Sequence, residues 1–472
     1  MLEINKIYNG DCLEVMGKFP DNSIDHILSD PPYNLDTTLK RFSKSNLENE
    51  NYIKKQIEAG GTVFSRSSKG FMGKTWDVLP SQEIFNEMYR VIKPAGFCFL
   101  LMTPRQDSLW RVMARLEEAG FNINFSSLYY VYGTGFPKSS NTSKSIDKRL
   151  CAEGEVVEKH KNPAESKGNI FSLNQECNIT VPATPQAKYF DGYGTMSLKP
   201  AVEIVIVAMK PISEKTYIDQ ALAYYEQKVN GNNETDINKG CVDIDGCRLL
   251  IEDTDNNLRL NAKNHNIKPS NCTSYDLNKD LMVENRVSDN GYHSTKGRFP
   301  ANIITTDGAL DDGENKQPTV RNSSKSKKGN AIIFNQGEND KDRFGGFPDS
   351  GSFDRFFSID KWFENKLKEL PPAIRKTFPC LIVPKPTAEE KNAGVQADTN
   401  KHCTVKPIKL MIYLIQLMSD KNDIILDPFV GSGTTCIACR MQQRRYIGIE
   451  RDAEYYKIAQ ARLDKEVSET LF

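Results

Sequence analysis

The C-terminal residues 423–463 alternate apolar runs with helix-like runs, and this alternation constrains the fold more than any other feature. "DIIL" (423–426) and "YIGI" (446–449) are short and, apart from Asp423, apolar, as are strands buried on both faces of a parallel sheet. "CIACRMQQR" (436–444) and "EYYKIAQARL" (454–463) follow them as predicted helices. A strand–helix–strand–helix order favours a parallel sheet covered by helices. The sequence therefore predicts an α/β fold here.

The same alternation occurs in the first half of the chain. "HILS" (26–29), "FCFLLM" (97–102) and "AVEIVIVAM" (201–209) are predicted strands. "SQEIFNEMYRVI" (81–92) and "DSLWRVMARLEEAG" (107–120) place apolar residues on one helical face. We expect the two ends of the chain to form one doubly wound, mostly parallel sheet.

The middle of the chain is polar and rich in Asn, Asp, Lys and Gly. Its apolar islands, "GCVDIDGCRL" (240–249) and "RFPANIITT" (298–306), are predicted strands. A composition of this kind is typical of an irregular insertion, part of which can be disordered. The predicted organisation is a sheet domain formed by residues 1–214 and 376–472, with residues 215–375 inserted as a separate module.

Composition limits the cellular setting. The chain has 472 residues and equal numbers of acidic and basic side chains, so a polyanion partner must be bound by a local basic face. No apolar run approaches the roughly 18–20 residues that cross a bilayer, and the first residues have no secretory pattern. The 11 cysteines have no framework spacing. We expect a cytoplasmic protein with reduced thiols and no membrane partner.

"DPFVGSGTT" (427–435) connects a predicted strand to a predicted helix. Gly431 and Gly433 allow a tight turn and close approach of a ligand to backbone amides at the helix start. Glu450 ends the next strand, 23 positions after Asp427, where an acid can accept hydrogen bonds from ribose hydroxyls. Strand, glycine loop, helix, strand and terminal acid in this order predict a site for a nucleoside-type cofactor.

"SDPPY" (29–33) follows the strand "HILS". Asp30 is expected at the carboxyl edge of the sheet, where α/β folds bind ligands. Pro31 and Pro32 restrict the backbone and leave carbonyl groups available, and Tyr33 offers an aromatic face. Such a group can bind a planar molecule that carries an exocyclic amine. A rigid turn with a packed tyrosine is the structural alternative.

These two motifs together resemble those of the DNA amino-methyltransferases, which transfer methyl from S-adenosylmethionine to adenine N6 or cytosine N4. Other stretches resemble the same family, namely "GDCLEVM" (10–16), "KGFMGKTWD" (69–77), "GTGFPKSSNTSKSIDK" (133–148), "GYGTMSLKPAVEIVIVAMKP" (192–211) and "TVKPIKLMIYLI" (404–415). The target-amine motif precedes the cofactor loop, as in the family's permuted beta group. The resemblance implies a circularly permuted Rossmann-like fold in which the two motifs lie on adjacent strands.

The resemblance also implies roles for matching residues. The target-amine motif comprises Asp30, Pro31, Pro32 and Tyr33, and the cofactor-binding set comprises Asp11, Thr404, Lys406, Asp427, Phe429, Gly431, Gly433 and Glu450. Within that set, Asp11 is expected near the cofactor's adenine, and Lys406 can pair with its methionine carboxylate.

Double-stranded DNA is the implied partner, and the target base has to leave the helix to reach such a cleft. The middle module (215–375) lies where the permuted group keeps its target-recognition domain, which implies that role for it. The basic residues expected to contact phosphates there are Lys296, Arg298, Arg321, Lys325, Lys327 and Lys328. A solvated loop is the alternative for any one of these runs. A homodimer and a restriction-system partner are both left open.

Aspartate at the first motif position favours adenine N6, with N4-cytosine methylation and a silent DNA-binding protein as alternatives. A glutamine or RNA methyltransferase is disfavoured because those enzymes usually begin the motif with asparagine. Cys380 lies in a Pro-Cys pair but far from the cofactor strand, which disfavours a C5-cytosine enzyme. Cys436 and Cys439 have no second ligand pair at zinc spacing, and the five histidines form no cluster, so no metal is expected.

Overall fold

The computed structural model describes ten ranges of the chain: residues 3–33, 78–132, 141–161, 176–194, 201–230, 235–249, 299–306, 357–360, 362–363 and 405–470. Within them, no helix combines the length and apolar character needed to cross a bilayer.

Eight strands form the main sheet and two form a separate antiparallel pair. They are β1 (Lys6–Asn9), β2 (His26–Ser29), β3 (Phe97–Met102), β4 (Leu128–Val131), β5 (Val156–Lys161), β6 (Glu176–Thr180), β7 (Val202–Met209), β8 (Ile303–Thr305), β9 (Ile424–Asp427) and β10 (Arg445–Glu450). The main sheet has the order β1-β10-β9-β2-β3-β7-β4-β8, and β5 pairs with β6. Only β7 runs antiparallel to its neighbours in the main sheet. The sheet is therefore mostly parallel, as predicted.

Helices cover both faces of this sheet. They are α1 (Cys12–Met16), α2 (Gln82–Val91), α3 (Gln106–Glu118), α4 (Thr142–Arg149), α5 (Pro185–Tyr189), α6 (Tyr217–Asn230), α7 (Ile408–Met418), α8 (Thr434–Met441) and α9 (Ala453–Thr470). Alternate residues of β3 point to two different cores. Phe97 and Phe99 pack in the core that contains α7, α8 and α9. Cys98 and Leu100 pack in the core that contains α1, α2 and α3, which confirms the doubly wound arrangement.

The strands that carry the two motifs are neighbours. His26 and Ile27 of β2 pair in parallel with Ile425 and Leu426 of β9. This confirms the predicted adjacency of two segments that lie about four hundred residues apart in the chain. The circular permutation itself stays a prediction.

Residues 240–249 do not form the predicted strand. The Asp243 carboxylate accepts the backbone N–H of Gly246 at 2.8 Å, and a short 3-10 turn spans Asp245–Cys247. The indole N–H of Trp362 donates to the Gly246 carbonyl at 3.0 Å. An Asp-rich segment with a glycine satisfies its backbone through a turn here, and its apolar residues pack against α7. The prediction was wrong because these side-chain contacts replaced a strand ladder.

The described parts of residues 215–375 pack onto the sheet domain. β8 pairs in parallel with β4, which confirms the strand predicted within 298–306. Ile359, Trp362 and Phe363 are buried in the core that includes α7. Most of the predicted inserted module lies outside the described residues, and its role in target recognition stays a prediction.

A buried ion pair joins this segment to α7. Lys409 and Asp360 form a salt bridge, and each side chain is at most 2% exposed. Removing one partner leaves a buried charge uncompensated, so Lys409→Met should lower the free energy of unfolding by about 3–5 kcal/mol. Urea unfolding followed by circular dichroism would measure the loss. Lys457→Met, at an exposed position of α9, serves as the control, with an expected change within about 0.5 kcal/mol. Equal midpoints for the two variants would contradict the prediction.

Candidate active site

Four acidic residues converge at the carboxyl edge of the sheet. β1, β10, β9 and β2 are adjacent parallel strands, so the residues at or just after their carboxyl ends face one side. These residues are Asp11, Glu450, Asp427 and Asp30, and all four line a cavity of about 330 Å³. Ligands of open α/β sheets bind at this edge. Because their strands are neighbours in the sheet, the two motifs form one site although they lie far apart in the chain.

Asp30 has partners on both carboxylate oxygens. Its Oδ1 accepts the hydroxyl of Tyr33, and its Oδ2 accepts Nζ of Lys406 at 2.5 Å. The Tyr33 backbone carbonyl accepts the Ser108 hydroxyl at 3.1 Å, which ties the turn to α3. Tyr33 is 8% exposed, and burial is the main reason that the pKa of its hydroxyl is well above the ordinary value. The DPPY turn is therefore held by Ser108 of α3 and by Lys406, which lies just before α7.

Lys406 lies between two carboxylates. Besides Asp30, its Nζ is 3.8 Å from Oε2 of Glu203 on β7, and it sits 5.1 Å from the centroid of the Tyr33 ring. Burial alone lowers the pKa of Lys406, but attraction by Asp30 and Glu203 outweighs it and raises the pKa above the ordinary value. The charged form of Lys406 is therefore favoured beside Asp30.

The glycine loop is bound to the end of β10. Gly431 has φ 53° and donates its backbone N–H to Oε2 of Glu450 at 2.9 Å. The other oxygen of Glu450 accepts the backbone N–H of Asp452 at 2.8 Å. Gly433 has φ 86°, and a Cβ there would lie 3.1 Å from Cβ of Ala459, so the turn depends on glycine. Burial raises the pKa of Glu450 to about 7.

Asp427 connects the cofactor loop to the target-amine motif. Its Oδ1 accepts the hydroxyl of Ser29 at 2.5 Å and the backbone N–H of Phe429 at 3.1 Å. Its Oδ2 accepts the hydroxyl of Thr435 at 2.5 Å. Burial raises its pKa to about 6 in spite of these hydrogen bonds. Since Ser29 directly precedes Asp30, Asp427 sets the relative position of the two motifs.

A buried arginine supports the same loop from behind. Arg462 of α9 is fully buried and donates Nη1 to the Ser432 carbonyl at 2.6 Å. The same nitrogen donates to the Ser432 hydroxyl at 3.0 Å and to the Thr434 hydroxyl at 3.2 Å. Sequence reasoning missed Arg462 and Glu203 because nothing in their local sequence marks them. Ser29 and Thr435 lie inside quoted motifs and could have been included.

Of the remaining predicted site residues, some line the cavity and the others lie outside the described residues. Asp11 lines the cavity and also begins α1, where its side chain accepts the Leu13 backbone N–H at 3.0 Å. Pro31, Pro32 and Phe429 line the cavity. The rest of the predicted site lies outside the described residues: Thr404, Lys296, Arg298, Arg321, Lys325, Lys327 and Lys328.

The burial of the two α8 cysteines indicates a structural role. Cys436 and Cys439 are fully buried, and burial raises the pKa of both thiols. Among the described residues, no group of three or more His, Cys, Asp or Glu side chains is arranged to hold a metal ion. Cys380 lies outside those residues.

Comparison with known proteins identifies the family. The model of the N6/N4 methyltransferase family, described as DNA methylase, matches residues 24–461. The type II methyltransferase M2.LlaDCHI of Lactococcus lactis subsp. cremoris is 48% identical over 65 residues, which are 14% of this chain and 24% of the relative. The type II methyltransferase M.BamHI of Bacillus amyloliquefaciens is 26% identical over 192 residues, which are 36% of this chain and 39% of the relative. The chain thus spans only about a quarter to two fifths of the length of these relatives.

Solved structures show a distant similarity. The PvuII DNA methyltransferase, described as cytosine-N4-specific, has 14% sequence identity and a TM-score of 0.36, with 97% of this chain and 85% of that chain covered. The M1.HpyAVI–SAM complex has 14% identity and a TM-score of 0.34, with 97% and 98% covered. These values are too low to assign an activity. The family match over residues 24–461 is sufficient by itself: the chain belongs to the N6/N4 family of DNA methylases.

Proposed function

We propose that this protein is a site-specific DNA methyltransferase that moves a methyl group from S-adenosylmethionine to N6 of an adenine flipped out of the duplex. The observation that carries the proposal is the hydrogen bond from Ser29 to Asp427, which joins the segments of Asp30 and Gly431, both of which line one cavity. Family membership supplies the reaction class. The aspartate in first place of the motif favours adenine over cytosine.

The residues around the cavity suit S-adenosylmethionine. Glu450 offers carboxylate oxygens for ribose hydroxyls at the end of β10. Asp11 and Glu450 give this part of the cavity wall an acidic character, which favours a cationic sulfonium. When bound, the cofactor supplies the electrophilic methyl group. Gly431 lines the cavity, and its lack of a side chain allows a ligand to approach the loop backbone closely.

Asp30 is the group that acts on the target amine. The amine lone pair is delocalised into the base, so the free amine is a poor nucleophile. Accepting its N–H at the Asp30 carboxylate and the Pro31 carbonyl favours a tetrahedral nitrogen with a localised lone pair. Positioning and electrostatic stabilisation provide the rate enhancement, with no covalent enzyme intermediate. Tyr33 lines the space that the base enters.

Cofactor affinity should fall below neutral pH because of Glu450. Its pKa of about 7 lies above the ordinary 4.5, so the ionised form is disfavoured in the free protein and the protonated form dominates below pH 7. Ribose hydroxyls donate to the carboxylate, so binding requires the ionised form. With one proton released on binding, the dissociation constant should be about tenfold higher at pH 6 than at pH 8.

Isothermal titration of S-adenosylmethionine at the two pH values would measure this change. Glu450→Gln is the matched control: it removes the titration at this position, and any pH dependence that persists belongs to other groups, such as Asp427 with its pKa of about 6 or the cofactor itself. The same linkage makes the free protein more stable as pH falls through 7, opposite to the trend in binding. A wild-type affinity that follows the Glu450→Gln variant at every pH would exclude this role for Glu450.

The function is tested by methyl transfer from labelled cofactor to unmethylated DNA, followed by nucleoside digestion and mass analysis. The expected product is N6-methyladenine. N4-methylcytosine would keep the reaction class and overturn the choice of base. If the protein binds cofactor and DNA but transfers no label, it is a silent DNA-binding member of the family and the proposed activity is wrong.

A further inference from the structure

In the free protein, both carboxylate oxygens of Asp30 already accept hydrogen bonds, and these contacts oppose the proposed reaction. Tyr33 donates to one of its oxygens and Lys406 to the other, at 2.5 Å. The lysine and aspartate side chains are 7% and 17% exposed, so water screens the pair poorly. A cation this close weakens the carboxylate as an acceptor for the amine. It also opposes the positive charge that develops on the amine nitrogen during methyl transfer.

A second carboxylate lies within reach of the same lysine. Oε2 of Glu203 is 3.8 Å from Nζ of Lys406, so a small shift of the ammonium group would bring it to hydrogen-bond distance of Glu203. Glu203 belongs to β7, which is rigidly paired with β3 on one side and β4 on the other. Its charge also reaches Tyr132, whose pKa is raised to about 12 by burial and by Glu203. Glu203 is therefore a negative group fixed on the sheet.

We propose that Glu203 is a positioning residue that takes Lys406 from Asp30 when the base amine enters. This inference rests on the proposed function, since it concerns the same Asp30. In the free protein the lysine neutralises Asp30. In the reacting complex it pairs with Glu203, which leaves Asp30 ionised and open to the amine N–H. No proton leaves the lysine in this exchange, because both carboxylates favour its charged form.

The test compares Glu203→Gln, Lys406→Met and the double variant in single-turnover methyl transfer at saturating cofactor and DNA. Among the described residues, Glu203→Gln leaves Lys406 with Asp30 as its one carboxylate partner, so the rate of this variant should fall on the order of 10- to 100-fold. Its cofactor dissociation constant should stay within about twofold of wild type, because Glu203 acts on the amine site. Removing the lysine as well should restore rate, so the double variant should be faster than Glu203→Gln.

Two further variants separate this role from a structural one. Glu203→Asp keeps the charge and should recover a large part of the rate lost in Glu203→Gln. Glu214→Gln, an exposed position just beyond β7, is the matched control and should behave as wild type. Unchanged cofactor affinity in Glu203→Gln shows that the site has folded, even where its rate is low.

Several outcomes would overturn the inference. In the first, the fold-losses in rate of the two single variants multiply in the double variant, which means that Glu203 does not act through Lys406. In the second, Lys406→Met weakens cofactor binding with little effect on rate, which means that the lysine pairs with the methionine carboxylate. In the third, wild type methylates DNA and Glu203→Gln is equally fast. A wild-type protein that transfers no methyl group would instead contradict the proposed function.

Discussion

Asp30→Ala should lower the single-turnover rate of methyl transfer by about 10³-fold, since loss of one preorganised electrostatic contact to the reacting group costs about 10²–10³-fold. The loss of rate should be at the upper end of this range because Asp30 also holds its neighbours in place. Removing its carboxylate also takes away the acceptor for Tyr33 and for Lys406. Rapid-quench assays with labelled cofactor and a saturating DNA substrate would measure the rate.

Cofactor binding provides the internal check on this variant. In the described part of the chain, Asp30 is hydrogen-bonded to Tyr33 and Lys406 and not to Glu450 or Gly431, so the dissociation constant of the cofactor should stay within about threefold of wild type. Asp464→Ala, on an exposed position of α9, controls for loss of a surface carboxylate. A rate within tenfold of wild type would show that Asp30 does not accept the target amine.

The sequence alone was sufficient to predict where the residues at the carboxyl ends of the strands lie in the fold. Buried parallel strands are short apolar runs, and β2, β9 and β10 each match a predicted run to within about one residue at either end. Glu450 and Asp30 follow such runs directly, so their place at the carboxyl edge was determined once the strands were assigned. Gly431 and Gly433 have the positive φ angles that a tight turn requires.

The sequence was insufficient where a role depends on partners from distant segments. Lys406 was assigned to the cofactor by resemblance, yet its described partners are Asp30 and Glu203. Arg462 looked like one more polar residue of an amphipathic helix, but it is fully buried against the glycine loop. Burial of a charged side chain is decided by what packs around it, and local periodicity does not report that.

The two motifs act as one unit because a buried carboxylate connects them. Asp427 accepts one hydrogen bond from Ser29, in the strand before the target-amine motif, and two from the cofactor loop itself, at Phe429 and Thr435. The positions that contribute Ser29 and Asp427 are separated by 398 residues in the chain. A change at Asp427 should therefore disturb both binding of the cofactor and placement of the amine.

Asp427→Ala should lower the free energy of unfolding by about 2–3 kcal/mol, because two buried hydroxyls and one partly buried backbone N–H lose a charged acceptor. Burial raises the pKa of Asp427 to about 6, so part of the hydrogen-bond energy is offset at pH 7 by the cost of the buried charge, and a larger loss is not expected. Cofactor affinity should fall by about 10²-fold, since the loop loses its anchor to β2 and small displacements are costly in such sites.

Asp427→Asn is the informative control, because it keeps the shape of the side chain. The hydroxyls of Ser29 and Thr435 can each rotate to accept as well as donate, so the amide can replace most of the network, and the expected cost is about 1 kcal/mol. Chemical unfolding and cofactor titration on the three proteins would measure both quantities. If the alanine variant loses stability but binds the cofactor as well as wild type does, Asp427 serves the fold alone. If affinity falls with stability in the alanine variant and both are largely kept in the asparagine variant, Asp427 couples the cofactor loop to the strand that carries Asp30.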